Sequence, residues 1–303
     1  MKIFIDTAKL DEIKEAYSWG IIDGVTTNPT LIKLAVEAEK GKGRNVNMKD
    51  YIKEILKTVG KEGAVSLEVI SLNSEAMVKE GELLYDKFNP MAENVVIKIP
   101  INTYSGDSSV SDFEGIKAIK VLREKDILVN ATIIMSPEQA LLAAKAGATY
   151  ASPFAGRIDN YVRNNLGISF KETDYFDHSL VKTIAQEKLQ NYLNKSNDEE
   201  IASLYTYEDI RKLADIGDNN GIDSGTDLVE RIAKIYRIYG FNTEIIASAM
   251  RSARQVREMA EAGAHVITMG FQVLKDMFRH PKTTEGIRGF SRDIVPEYKA
   301  LFE

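Results

Sequence analysis

Lys98 stands inside the run VVIKIP at 95–100, which otherwise reads as a buried strand. An amine held among apolar side chains without a partner tends to lose its proton, because burial disfavours the ammonium form. A neutral lysine amine attacks carbonyl carbon and forms an imine, so this residue points to Schiff-base chemistry. The strand pattern alone leaves a second placement open, with the side chain facing outward or reaching water at the strand end. Other strand ends also carry polar groups: Asp6, Asn28, Glu68, the period-two pair Asn130 and Thr132, and the pair Ser152 and Phe154. Taken singly, each has an ordinary use, Asp6 as a turn residue, Asn28 as a helix cap, Thr132 as a strand former. Converging on one rim, they read as a site. Arg157 and Arg251 follow two neighbouring strands, and paired guanidinium forks suit a phosphate; as isolated residues they would be surface ion-pair partners.

Composition narrows what else the chain could do. It has 303 residues, 39 Lys and Arg against 45 Asp and Glu, and no Cys. The net charge of −6 offers no basic excess for nucleic acid or an anionic membrane. Without Cys there are no disulfides, thiolate zinc sites or thiol nucleophiles. His178, His265 and His280 are dispersed, so neither an imidazole metal cluster nor a His-based triad is expected. No apolar run approaches the roughly 18 residues of a membrane span. Asp6 interrupts the first apolar stretch, so no secretory signal is expected and a cytoplasmic protein is.

The elements that would position these residues alternate between short β-rich runs and helical periods. Strands are expected near 2–7, 24–28, 64–69, 95–100, 128–134, 150–156, 243–249 and 265–271, several of them nearly continuous β-branched runs that suit strands covered on both faces. Ser136-Pro137-Glu138-Gln139 reads as a capping box, Gly147 as a helix stop, and Asn28-Pro29 as another helix start. Eight strands alternating with helices predict a parallel (β/α)8 TIM barrel, with its active site at the C-terminal ends of the strands. The competing open doubly wound sheet lacks both of its usual Gly-rich phosphate loops. Residues 1–303 thus read as one barrel domain. Segments 38–50 and 102–113 look like polar excursions, and 158–225 looks like a helical insertion after strand six, with helices near 178–194 and 206–216. A loop after a barrel strand opens on the catalytic face, so this insertion is a lid, a subunit contact or a surface decoration.

Taken together, these residues resemble the transaldolases, in particular the short-chain branch that includes fructose-6-phosphate aldolases. The likeness lies in IFIDTA at 3–8, DGVTTNPTLI at 23–32, VVIKIP at 95–100, the stretch from 129 to 160 containing SPFAGR, GFNTEIIASAMR at 240–251, and 262–281. It implies that Lys98 is the Schiff-base lysine and that Asp6 takes the C4 hydroxyl proton in retro-aldol cleavage. It further implies that Glu68 and Thr132 hold a proton-shuttling water, that Asn28, Asn130 and Ser152 bind the dihydroxyacetone unit, and that Arg157 and Arg251 bind phosphate.

The implied reaction moves dihydroxyacetone from fructose 6-phosphate or sedoheptulose 7-phosphate to an aldose phosphate, in the non-oxidative pentose phosphate pathway. The protonated imine is the electron sink, so no metal or organic cofactor is expected. Sugar phosphates are the expected partners, and a homo-oligomer is expected, with 284–303 read as a helix free to pack on a neighbour. The alternatives are an aldolase that releases free dihydroxyacetone, or a sugar-phosphate-binding barrel without catalysis. The aldolase branch resembles Gln at position 68 and Tyr at position 154, where this chain has Glu68 and Phe154. One departure from the family pattern is Ala249, where many relatives carry a phosphate-binding serine. The other is the insertion after Arg157.

Overall fold

Eight parallel strands close into a barrel in chain order, each hydrogen-bonded to the next and β8 to β1. The structure, a computed structural model, describes residues 1–104, 111–195 and 219–303. The strands are β1 (Lys2–Asp6), β2 (Gly24–Thr26), β3 (Ala64–Glu68), β4 (Val95–Pro100), β5 (Val129–Ile134), β6 (Tyr150–Pro153), β7 (Glu244–Met250) and β8 (Val266–Met269). Closure leaves no strand edge unpaired, and it buries both faces of strands such as β4, where Val95 through Ile99 are all buried.

Period-two geometry then divides each strand. Residues such as Ile5, Val25, Val65, Ile97 and Val129 pack outward against the helices in the main core. Phe4, Val96, Tyr150, Ile246 and Val266 form a separate apolar cluster, in which the Phe4 and Tyr150 rings meet edge to face at 6.2 Å. Gly24 makes room for this layer, since a Cβ there would lie 2.6 Å from the Phe4 ring. Two residues further along the same strands stand Asp6, Lys98, Ser152, Ser248 and Thr268. The barrel interior is therefore apolar at one level and polar one pleat higher.

The helices α1 (Leu10–Ser18), α2 (Pro29–Gly41), α3 (Met48–Val59), α4 (Ser74–Phe88), α5 (Glu114–Glu124) and α6 (Pro137–Lys145) follow the first five strands. Asn28 caps α2, accepting the Leu31 N–H at 2.9 Å, with Pro29 as the first helical residue. Ser136 likewise caps α6 by accepting the Gln139 N–H at 3.3 Å. The Gln139 side chain departs from the expected box by accepting from Met135, one residue before the cap. After β6 come α7 (Ala155–Asn165), α8 (His178–Lys195) and α9 (Gly225–Tyr239). The final residues of the expected sixth strand, Ala155 and Gly156, open α7 instead. The stretch read as an insertion from 158 thus begins inside that helix. The expected helix over 178–194 is α8, and the one over 206–216 lies outside the described residues.

α10 (Ala253–Glu261) and α11 (Phe271–Asp276) follow β7 and β8. The C-terminal stretch is not one helix: α12 (Pro281–Arg292) ends before α13 (Pro296–Lys299). Pro296 has no N–H to continue a helix and forces Val295 into extended backbone. No residue of α12 or α13 is buried, and Phe290, Leu301 and Phe302 are each more than 70% exposed.

Candidate active site

Register places Glu68 of β3, Lys98 of β4 and Asn130 of β5 side by side, so all three point into the polar level of the barrel. The Lys98 amine is 3.0 Å from Glu68 Oε2 and 3.4 Å from the Thr27 carbonyl, and Lys98 is only 8% exposed. The lysine faces inward, but it is not the partnerless amine that its strand pattern suggests. Its carboxylate partner comes from the adjacent strand. The two side chains make an ion pair across neighbouring strands inside the barrel.

Asn130 is fixed at both ends of its amide. Its Nδ2 donates to Ser66 Oγ at 3.3 Å, and its Oδ1 accepts from Ser152 Oγ at 2.7 Å. Thr132 is fully buried, and its hydroxyl has no hydrogen-bond partner among the described residues, an expensive state that a bound polar group would relieve. It stands within the bulge where β5 shifts register against β6, and the next residue, Ile133, takes φ +60°. A β-branched residue in that region is strained, and strain of this kind concentrates where a chain re-aims side chains.

Asp6, at the end of β1, accepts the Thr26 hydroxyl at 2.8 Å. Burial pushes its pKa above the usual carboxylate range, while the Thr26 hydrogen bond and the Lys98 ammonium pull it down. Asn28 lies at the same end of the barrel, with Oδ1 committed to its cap and Nδ2 a donor without a partner among the described residues.

The phosphate candidates flank the β6–β7 side. Arg157 is exposed in the first turn of α7, its guanidinium 4.7 Å from the centre of the Phe154 ring. Arg251 follows β7, donating to Asn160 Oδ1 at 2.7 Å, with Glu172 Oε1 3.5 Å away. No bond joins the two arginines. Their backbones are brought close by Gly156, where a Cβ would sit 2.3 Å from the Ala249 carbonyl. Ala249, the departure from the family pattern, takes φ +66° in a second bulge, between β7 and β8. Ser248 beside it turns its hydroxyl onto the Ile246 carbonyl at 3.1 Å.

Several supporting residues escaped the sequence reading. Asp159 on α7 accepts from the Gly225 N–H at 2.7 Å and from Gln255 Nε2 at 2.8 Å, and burial pushes its pKa up to about 6. Gln255 in turn accepts the Arg251 N–H at 3.0 Å, so Asp159 helps set where Arg251 begins. Arg163 shares Asn160 with Arg251 and lies under the Phe170 and Phe176 rings; its burial lowers its pKa. Asp159 and Asn160 stand within the SPFAGRIDN stretch, which was the available signal. Ser66 sits two residues before Glu68, on the same face of β3.

The family model described as Transaldolase/Fructose-6-phosphate aldolase matches residues 3–302. A protein named probable transaldolase from Hydrogenobaculum sp. (strain Y04AAS1) is 38% identical over 293 residues, 97% of this chain and 96% of its own. Probable transaldolases from Aquifex aeolicus (strain VF5) and Thermoplasma acidophilum are 37% and 36% identical, covering 98% and 99% of this chain and 99% and 100% of theirs.

Proposed function

The chain belongs to the transaldolase/fructose-6-phosphate aldolase family and is a transaldolase, and we propose that it transfers dihydroxyacetone through an imine on Lys98. The donor is a ketose phosphate, fructose 6-phosphate or sedoheptulose 7-phosphate, and the acceptor an aldose phosphate. The observation that carries this reading is the inward Lys98 amine, 3.0 Å from Glu68, at the polar level that also holds Asp6.

Glu68 takes a proton from the Lys98 ammonium, and the freed amine adds to the ketose carbonyl. Glu68 and the unpartnered Thr132 hydroxyl handle the protons as the carbinolamine loses water to give the protonated imine. Asp6 then removes the C4 hydroxyl proton. The C3–C4 electron pair flows into the imine, the aldose leaves, and an enamine remains on Lys98. An incoming aldehyde is attacked by that enamine, Asp6 returns its proton to the new hydroxyl, and hydrolysis frees the lysine.

Asn130 keeps one Nδ2 hydrogen to donate to the dihydroxyacetone hydroxyls, Ser152 Oγ, whose own proton goes to Asn130, accepts from them, and Asn28 adds its amide N–H. Arg157 and Arg251 take the phosphate, without the serine that Ala249 replaces. Phe154 and Glu68 support transfer over release of free dihydroxyacetone, because a phenyl ring brings no hydroxyl to hold water beside the enamine. The exposed apolar residues of α12 and α13 support a homo-oligomer. A place in the cytoplasm and in the non-oxidative pentose phosphate pathway belongs to the same proposal; among the described residues no helix is long and apolar enough to cross a membrane.

Borohydride reduction of the enzyme with fructose 6-phosphate tests the reading by peptide mass. A ketose-derived mass is expected on the peptide containing Lys98. Its absence there, or its presence on another lysine, refutes the imine assignment.

A further inference from the structure

Two buried hydroxyls stand behind Asp6 that no step above uses. Thr26 of β2 donates to Asp6 Oδ1 at 2.8 Å, and its oxygen lies 2.6 Å from the hydroxyl of Thr268 on β8. They are 4% and 2% exposed, and β2 and β8 are the two strands that pair with β1, so barrel closure itself holds the arrangement. A threonine hydroxyl has one proton. Thr26 gives its proton to a carboxylate that has none to return, so the proton shared by the two threonines must come from Thr268. The chain of donors runs from Thr268 to Thr26 to Asp6. Among the described residues no protein donor reaches Asp6 Oδ2.

Valine would fill the same space at both positions, so filling the barrel does not account for the hydroxyls. The geometry points to a positioning role: Thr268 and Thr26 occupy Oδ1 of Asp6 and leave Oδ2 as the oxygen that takes and returns the C4 hydroxyl proton. This rests on the reading of Asp6 as the base in the proposed reaction. In cleavage the C4 hydroxyl proton moves to Oδ2, its O–H electron pair becomes the aldehyde C=O bond, and the C3–C4 pair becomes the enamine. Nothing is oxidised or reduced. Thr26 still donates to Oδ1 when Oδ2 is protonated, so the two threonines carry no net proton and set only which oxygen reacts and how readily it holds its charge.

Asp6 faces Thr26 from β2, through it Thr268 from β8, and the Lys98 ammonium from β4, itself paired with Glu68 from β3. Burial favours the neutral acid, and Thr26 and Lys98 favour the carboxylate. Removing the Thr26 hydroxyl tips this balance toward the acid. The acidic limb of the kcat/KM profile, where the base becomes protonated, then moves to higher pH.

The test compares Thr26→Val, Thr26→Ser and Thr268→Val in the full-length enzyme, with Asp6→Asn alongside. In Thr26→Val the acidic limb is expected to rise by about one pH unit, the worth of one charge-assisted hydrogen bond, and kcat to fall about tenfold or more. Borohydride trapping on Lys98, which precedes the step at Asp6, should stay as in wild type. Thr26→Ser should restore both limb and rate. Thr268→Val should shift the limb the same way by less, and it carries the test if Thr26→Val does not fold. An unmoved limb in either valine variant, with trapping intact, overturns the positioning role. If Asp6→Asn cleaves at the wild-type rate, the base assignment itself fails and the role of the threonines falls with it.

Discussion

Replacing Asp159 by asparagine isolates the effect of one carboxylate enclosed where α7, α9 and α10 meet. Its two donors, the Gly225 N–H and Gln255 Nε2, favour the charged form, yet burial outweighs them and pushes its pKa up to about 6. In the unfolded chain an aspartate titrates near ~3.9, so the native state holds this proton more tightly by about two units. A raised native pKa contributes stability that is full below the unfolded value and lost as pH rises through about 6. Asparagine cannot titrate. Between pH 7 and pH 5 the wild type should therefore gain about 1.4 kcal/mol of unfolding free energy relative to Asp159→Asn. Any loss from placing an amide against Gln255 is independent of pH and cancels in that difference. Equilibrium urea unfolding at pH 5, 6 and 7 can be followed through the single tryptophan, Trp19, which stacks on Phe271. A wild-type-minus-variant difference that stays flat, or grows toward pH 7, refutes the buried-carboxylate account.

Arg251→Ala should lower kcat/KM for fructose 6-phosphate by about 10- to 100-fold more than for unphosphorylated fructose, the loss of one or two charge-assisted hydrogen bonds. Equal losses on both sugars would remove Arg251 from phosphate binding. Gly156→Ala forces a methyl to within 2.3 Å of the Ala249 carbonyl. It should reduce stability by about 2–3 kcal/mol, read as a lower urea midpoint, and an unchanged midpoint would mean that α7 and the β7 bulge do not pack as described.

Much of the barrel was legible because its strands are short β-branched runs buried on both faces, a pattern that survives without knowledge of their neighbours. β4 runs over the very residues expected, 95–100. The polar positions at strand ends were legible for the same local reason, since alternation alone puts Asn130 beside Thr132 and Ser152 beside Phe154 on one face. What the sequence could not supply was the pairing between strands. Lys98 looked unpartnered until register set Glu68 against it. Thr26 and Thr268 are 242 residues apart, Asp159 and Gln255 96 apart, and only closure of the barrel brings each pair together. The boundary after β6 was misread because Phe154-Ala155-Gly156 continues an apolar run. Gly156 reads as a strand residue until the carbonyl of Ala249 is known to lie against it. The C-terminal stretch was read as one helix because the consequence of Pro296 was not drawn, although the local signal was present.

The floor made by Phe4, Val96, Tyr150, Ile246 and Val266 has a kinetic corollary. Among the described residues this layer stoppers the barrel at its base, beneath the polar level. On the proposed reaction, whatever is cut from the donor backs out over the rim before a second sugar enters, while Lys98 keeps the three-carbon fragment. Traffic is obliged to take turns, and a large excess of either sugar should slow the other by crowding the doorway.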